Sequence, residues 1–152
     1  MSLPEHVRPI HAGDHGPWRR LWTAYLKFYR ESIDDSVREH TFTRLCQATD
    51  GLIGLVATDD ADQPIGFAHL VFHPSTWSSS RYCYLEDLYV DPARRGDGTA
   101  GDLFDGVYAL AREQHATRVY WHTQQFNAPA RSLYDTVGRL TSFVVYEHSI
   151  DP

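Results

Sequence analysis

One stretch decides the fold: Tyr84-Leu-Glu-Asp-Leu-Tyr-Val-Asp-Pro-Ala-Arg-Arg-Gly-Asp-Gly-Thr-Ala-Gly101. Its first part is rich in β-forming residues, and it must end at Asp91-Pro92 because proline has no N–H for a ladder. A glycine-rich turn follows, and from about Thr99 apolar residues recur at helical spacing. Such a turn leaves several backbone N–H groups unpaired at a helix N-terminus, where the helix dipole is positive. The stretch therefore predicts a phosphate-binding turn, to which Arg94 and Arg95 add charge.

Two kinds of phosphate site share this pattern. Gly96, Gly98 and Gly101 match the spacing of the dinucleotide-binding fingerprint, which requires an acidic residue about 20 positions later. The next predicted strand, Arg118-Val-Tyr-Trp-His-Thr123, contains no acid, and too little chain follows for the second half of that fold. These two facts weaken the hypothesis of a nicotinamide-dependent redox domain.

The composition is that of a globular protein. Hydrophobic residues make up 42% of the 152 residues, which suits a single domain over 1–152 with its own core. The formal net charge of −6 argues against a nucleic-acid partner, which would need a basic surface. Cys46 and Cys83 are expected to be small buried residues without a disulfide. Because no apolar run reaches a membrane-spanning length and no signal-peptide pattern is present, we expect a cytoplasmic protein without membrane contact.

Hydrophobic periodicity predicts the remaining elements. Strands are expected at 7–10, 52–58, 65–72, 83–90, 118–123 and 142–149. Helices are expected to begin at Asp14, at Asp34 or Asp35, near Thr99 and at Asn127. The order β-α-α-β-β-β-α-β-α-β predicts an α/β (α+β) fold, in which a sheet of mixed strand direction carries helices on both faces.

A second motif lies in the last predicted helix, Asn127-Ala-Pro-Ala-Arg-Ser-Leu-Tyr-Asp-Thr-Val-Gly138. Asn127 is a good N-cap, and Tyr134, seven residues later, shares its helix face. This segment and Arg95-x-x-Gly98-x-Ala100 together resemble the acetyl-CoA-binding motifs of the Gcn5-related N-acetyltransferases. The resemblance covers essentially the whole chain, and the last helix matches at Asn127, Ala130, Leu133, Tyr134 and Gly138.

A closer likeness is to the Hpa2-like histone and polyamine acetyltransferases and the diamine (spermidine/spermine) acetyltransferases. It rests on Phe67-Ala-His-Leu, Ser75-Thr-Trp-Ser78 and Tyr84-Leu-Glu-Asp-Leu-Tyr-Val90. The resemblance implies a mostly antiparallel sheet of six to seven strands with four helices. It also implies acetyl transfer from acetyl-CoA to a primary amine, with a small amine such as a polyamine as the expected acceptor, by direct attack in a ternary complex. Asp97 and Ala100 depart from the family pattern.

The resemblance further implies how coenzyme A is held. The strand residues Leu88, Tyr89 and Val90 would splay from their neighbour and pair with the pantetheine arm, and the Val90 N–H would face the acetyl oxygen. The turn would hold the diphosphate. The expected cofactor-binding residues are Leu88, Tyr89, Val90, Arg94, Arg95, Gly96, Asp97, Gly98, Thr99, Ala100, Asn127, Ala130 and Tyr134.

Acetyl transfer to an amine also needs proton transfers. A base must remove a proton from the amine, and an acid must return one to the leaving thiolate. Tyr134 holds the position of the family's usual general acid, and a phenol with a pKa near ~10 is protonated at neutral pH. Glu86 is the candidate general base, acting directly or through water, and His122 is an alternative.

The acceptor amine is expected to meet aromatic rings and carboxylates, which together favour a cation. Strand alternation would place Glu86 on the face of Tyr84 and Leu88, and Asp87 on the opposite face with Tyr89. The expected substrate-binding residues are Trp22, Tyr25, Tyr29, Trp77, Glu86 and Asp87.

Two other functions use the same motifs. A protein-lysine (histone-like) acetyltransferase would need a wider cleft, and a non-catalytic acyl-CoA-binding module would not need Tyr134. We predict no metal, because His6, His11 and His15 lack metal-site spacing and no carboxylates or cysteines cluster with them. A homodimer is also consistent with the sequence, with the C-terminal strand as a contact.

Overall fold

The computed structural model describes all residues from Met1 to Pro152, which form two compact units, Met1–His122 and Thr123–Pro152. The first unit contains one five-stranded sheet in the order β1 to β5. The first four strands pair antiparallel and β5 pairs parallel to β4, which confirms the mixed, mostly antiparallel sheet. The strands are β1 (Val7–Pro9), β2 (Leu52–Thr58), β3 (Pro64–Pro74), β4 (Arg81–Val90) and β5 (Ala116–Tyr120).

Three helices of this unit cover both faces of the sheet, as predicted. They are α1 (His15–Phe28), α2 (Asp35–Gln47) and α3 (Thr99–Glu113). On one face, α1 and α2 bury a core that includes Trp18, Leu45, Val56 and Phe67. On the other face, α3 comes so close to the sheet that a Cβ added at Gly106 would lie 2.8 Å from Val7 Cγ1.

The two cysteines are free, as the sequence predicts. Cys83 is buried in β4, and this burial raises the pKa of its thiol to about 12. Cys46 is partly buried on α2. None of the helices is both long enough and apolar enough to cross a membrane. The cytoplasmic location and the single-domain organisation stay predictions.

The second unit contains α4 (Ala128–Val137), the fourth predicted helix. The Asn127 side chain caps it, accepting a hydrogen bond from the Ala130 N–H at 3.4 Å, as the motif predicts. Gly138 follows the helix with φ −152°, so it is extended backbone and does not form the left-handed C-terminal cap expected of a glycine there.

The predicted last strand, 142–149, is not formed. These residues pair with no other strand of the chain, and their apolar side chains face solvent. Phe143 is 75% exposed and Tyr146 92% exposed. These residues do have high β-propensity, but a strand forms only where a neighbouring strand accepts and donates its backbone hydrogen bonds. The sheet therefore has five strands where the resemblance implied six to seven.

Candidate active site

The turn after β4 presents open backbone donors. Gly96 and Gly98 have φ values of 87° and 90°, which only glycine adopts readily, and no atom lies within 4 Å of a Cβ added at either position. The first α3 backbone hydrogen bond runs from the Asp102 N–H to the Gly98 carbonyl. The N–H groups of Gly96, Gly98, Ala100 and Gly101 therefore donate to no group of the chain, and an anion could bind them.

One amide of this turn is already occupied. The Asp97 carboxylate accepts hydrogen bonds from the Thr99 N–H at 3.1 Å and from the Thr99 hydroxyl. These two hydrogen bonds lower the pKa of Asp97 below its usual range, and the bond from the Thr99 hydroxyl has the larger effect. A carboxylate thus lies at the helix N-terminus, so a diphosphate bound there would meet a like charge.

The edge of β4 is open beyond its fourth residue. β5 pairs with β4 only from Arg81 to Tyr84, whereas β4 continues to Val90. On the opposite side, the Asp91 N–H donates to the Ile65 carbonyl at 2.8 Å. Because neighbouring residues of a strand point their N–H and C=O groups to opposite sides, those of Leu88 and Val90 face the open edge. This geometry suits a ligand that pairs like a strand.

The two arginines of the turn are held by their own chain. Arg95 Nε donates to the Val90 carbonyl at 3.2 Å, and its guanidinium carbon lies 5.4 Å from the centre of the Tyr89 ring. Arg94 forms an ion pair of 3.8 Å with Asp59 in the loop between β2 and β3. Both guanidinium groups therefore already contact other residues of the chain. That Arg94 and Arg95 bind the diphosphate of coenzyme A stays a prediction.

A β-bulge in β4 places the two acidic residues. His69 is opposite Asp87, but Leu70 is opposite Leu85, so Glu86 is an extra residue without a partner. The predicted alternation is right for Asp87 and Tyr89, which share a face.

The alternation prediction is wrong for Tyr84 and Leu88. Tyr84 lies across from Val71, on the face of His69, whereas Leu88 lies across from Ala68, on the opposite face. The physical reason is the bulge, because one inserted residue moves the side chains of all earlier β4 residues to the opposite face of the sheet. Asp87 and Tyr84 therefore share one face.

Glu86 has the electrostatic setting of a base. Its residue is exposed at the surface, yet the surrounding protein desolvates the carboxyl group, which raises its pKa, and the neighbouring charge of Asp87 raises it further. His69 and Arg44 oppose the shift. A raised pKa brings a carboxylate nearer to neutral pH and makes it a stronger base.

Three of the four predicted aromatic residues lie together. The Tyr25 ring stacks on Trp22 with centroids 5.3 Å apart and meets Tyr29 edge to face at 5.0 Å. The Tyr25 hydroxyl donates to Asp87 at 2.7 Å. Trp22 is only 6% exposed and belongs to the core, so it supports the rings more than it offers a surface. Trp77 is 74% exposed in the loop after β3 and makes no ring contact with this cluster.

Sequence reasoning missed His69 and Trp18. His69 is 4% exposed, and its ring bonds Trp18 on one side and Asp87 on the other. A histidine inside the apolar run Phe67-Ala-His-Leu was the available signal. The alternative base, His122, forms a hydrogen bond through its Nδ1 atom with the Tyr84 hydroxyl at 3.2 Å.

The second unit carries the remaining predicted residues. Tyr134 lies on α4, and its carbonyl accepts from the Gly138 N–H at 2.9 Å. Ala130 lies in the first turn of the same helix, and its N–H is taken by the Asn127 cap. The roles of these three residues toward coenzyme A stay predictions.

Comparison with known proteins places the chain in a family. The acetyltransferase (GNAT) family profile matches residues 18–138. D-amino-acid N-acetyltransferase HPA3 of Saccharomyces cerevisiae is 33% identical over 144 residues, covering 94% of this chain and 89% of that protein. Thialysine N-epsilon-acetyltransferase of Caenorhabditis elegans is 33% identical over 91 residues, covering 60% and 54% of the two chains.

Solved structures share the fold. A probable acetyltransferase superposes with a TM-score of 0.83 at 25% identity, covering 96% of this chain and 98% of its own. The enzyme AAC(6')-Iy, in complex with the bisubstrate analogue CoA-S-monomethyl-acetylneamine, has a TM-score of 0.81 at 19% identity, covering 95% and 97%. This second likeness concerns the fold alone.

Proposed function

The chain belongs to the acetyltransferase (GNAT) family, and from that premise we propose that its acceptor is a small primary amine. It is an N-acetyltransferase that transfers an acetyl group from acetyl-CoA to an amine. The proposal concerns the class of amine and the residues that act on it.

The bulge in β4 is the observation that carries the proposal. It leaves Glu86 without a cross-strand partner next to Asp87. The Tyr25 hydroxyl donates to Asp87, and the Tyr29 ring meets the Tyr25 ring edge to face, close enough to Asp87 to be affected by its charge. Burial and the charge of Asp87 both raise the pKa of Tyr29. A negative potential bounded by aromatic rings favours an alkylammonium ion. Polyamines, diamines and amino-acid-like amines all carry this group.

The chemistry then follows from the chain's own groups. Asp87 binds the ammonium, Glu86 removes a proton directly or through water, and the freed amine attacks the thioester carbonyl. Charge developing on the carbonyl oxygen is stabilised by the Val90 N–H at the open edge. The C–S bond breaks as Tyr134 gives its proton to the thiolate, and the second proton of the attacking nitrogen passes to the Tyr134 phenolate, directly or through water.

An amine panel tests the proposal. Purified protein with acetyl-CoA would be offered spermidine, putrescine, thialysine, a D-amino acid and a lysine-containing peptide, and free thiol would be measured. We expect release with at least one small amine and a lower kcat/KM with the peptide. If only the peptide supports thiol release, the acceptor is a protein lysine; if no acceptor does, the small-amine proposal fails.

The role of Tyr134 has its own test. Tyr134→Phe removes only the hydroxyl, so we expect kcat to fall about a hundredfold or more, with the affinity for coenzyme A retained. An unchanged kcat would mean that water protonates the thiolate, and it would remove Tyr134 from the mechanism.

We also infer a homodimer. The C-terminal segment exposes contiguous apolar side chains that a monomer rarely leaves uncovered, including Phe143, Val144, Val145 and Tyr146. A second copy is the partner that is always present. Analytical ultracentrifugation should give a dimer that Val144→Asp and Tyr146→Asp disrupt, and a monomeric native protein would overturn the inference.

A further inference from the structure

A buried relay of hydrogen bonds joins α1 to β3 and β4 through four side chains. The Trp18 indole N–H donates to His69 Nε2 at 3.0 Å, and His69 Nδ1 lies 3.0 Å from Asp87 Oδ2. The Tyr25 hydroxyl donates to Asp87 Oδ1 at 2.7 Å. Trp18 is fully buried, and the Asp87 side chain is 15% exposed, so the relay runs from the core to the amine site.

The Trp18 contact determines the tautomer of His69. An indole nitrogen can only donate, so the His69 Nε2 atom must accept and carries no proton. The proton of the neutral ring is then on Nδ1, where it is donated to Asp87. A histidine protonated on both nitrogens would lose the Trp18 hydrogen bond.

The same logic applies to Asp87. Each of its oxygens accepts one hydrogen bond, from His69 and from Tyr25. An ionised carboxylate can accept about four, so two acceptor positions are left for a ligand. A protonated Asp87 would lose one of its two bonds. The relay therefore selects the anion and leaves acceptor capacity free for an ammonium group.

Packing prevents the relay from rearranging. The His69 ring stacks on Phe67 with centroids 4.4 Å apart and an interplanar angle of 15°, and it lies 5.2 Å from the Trp22 ring. His69 and Asp87 are also direct cross-strand partners. The Asp87 rotamer is thus held by the buried His69 on one side and by the half-buried Tyr25 on the other.

We propose that His69 is a positioning residue, held by Trp18, that fixes Asp87 as the anionic receptor for the acceptor's ammonium group beside Glu86. This inference rests on the proposed small-amine function. His69 does not touch the substrate in this scheme. It acts on how tightly the amine binds, and the acetyl-CoA turn is independent of it.

Two substitutions at His69 give opposite expectations. His69→Leu keeps the bulk but leaves the Trp18 N–H and one Asp87 oxygen without partners, so we expect the KM for the amine to rise about tenfold to a hundredfold. The kcat should change less than the KM. His69→Gln retains an acceptor for Trp18 and a donor for Asp87, and it should restore the KM to within about threefold of the native value.

Matched controls separate positioning from loss of packing. Val56→Ala weakens the same core cluster without touching the relay and should lower the melting temperature with the amine KM unchanged. Trp18→Phe removes the indole donor in case His69→Leu does not fold, and it should also raise the amine KM. Equal KM values for His69→Leu and His69→Gln, or a raised KM in Val56→Ala, would overturn the proposal.

A spectroscopic readout keeps this inference distinct from the proposed function. In the native protein, long-range ¹H–¹⁵N correlation spectra should show His69 as the Nδ1-protonated tautomer, and the Trp18 indole resonance should shift in His69→Leu. An Nε2-protonated His69 would overturn the relay even if amines are acetylated. If the tautomer is as stated but no small amine reacts, the substrate proposal fails and the relay's geometry stands.

Discussion

The two ends of the candidate site are built in opposite ways. The turn predicted to bind the cofactor, 92–101, is one continuous and mostly exposed stretch with two positive-φ glycines, in which the N–H groups of Gly96, Gly98, Ala100 and Gly101 bond to no other group. The amine end uses side chains from α1, β3 and β4, and their polar atoms bond one another in a buried relay. The turn thus keeps donors that a ligand could use, whereas the polar groups around Asp87 already bond one another and hold this carboxylate in place.

The largest expected effect breaks the amine end alone. Glu86→Gln keeps the shape but removes the base, so kcat should fall about a hundredfold to ten-thousandfold. The affinity for coenzyme A, measured by calorimetry, should not change, because the turn is formed independently. An equal loss of coenzyme A affinity would mean that the two ends are not separable. Glu113→Gln, at the end of α3, is the matched control.

The next effect breaks the turn alone. Gly98→Ala places a side chain at φ 90°, and an L-residue avoids the left-handed region at a cost of about 1–2 kcal/mol. The backbone should relax and misdirect its N–H groups, weakening coenzyme A binding by up to about tenfold with the amine KM retained. Gly16→Ala, where an added Cβ has open space in α1, should leave both unchanged. Native coenzyme A affinity in Gly98→Ala would show that these amides do not bind the cofactor.

The pH profile tests whether the relay influences Glu86. As a base, Glu86 must be ionised, so kcat/KM should fall as the pH drops through its raised pKa. Asp87→Asn removes a charge that raises this pKa, so the acidic limb should move to lower pH. An unmoved limb would assign it to another group. The charged and titratable groups that surround the pair are Tyr25, Tyr29, Arg44, His69, Tyr84 and Tyr120.

The smallest effect sharpens the turn. Asp97→Asn keeps an oxygen for the Thr99 N–H but removes a negative charge from the helix N-terminus, so coenzyme A should bind about two- to fivefold more tightly at low salt. The gain should shrink as salt is added. Asp105→Asn, farther along α3, should not show it. Weaker binding in Asp97→Asn would indicate that the charge organises the turn.

The sequence predicted the local structure of the turn after β4 well because its determinants are local. Proline at 92, the glycines at 96 and 98 and the helix from Thr99 each act through their own backbone, and the structure forms each of them where the pattern places it. The bounds of β2 and α4 were predicted for the same reason. The open edge of β4 followed from the family resemblance and not from the residues alone.

The amine end could not be predicted to the same depth. Glu86 and Asp87 were identified, but the bulge that brings Tyr84 and Asp87 to one face depends on how β4 registers against β3. The energy of strand pairing is spread over two whole strands, so the residues next to a bulge do not reveal its position in the sequence. The prediction of a strand at 142–149 was wrong for a related reason. The residue pattern is that of a strand, but whether a neighbouring strand is available to pair with it depends on the tertiary structure.

The sequence by itself determined the order of most elements and the glycine turn before α3, because periodicity, glycine and proline act within a few residues of themselves. Only the tertiary structure decided that His69 is buried between Trp18 and Asp87 and bonds to both. Those three residues are far apart along the chain, and a hydrogen bond forms only where folding brings donor and acceptor within about 3 Å.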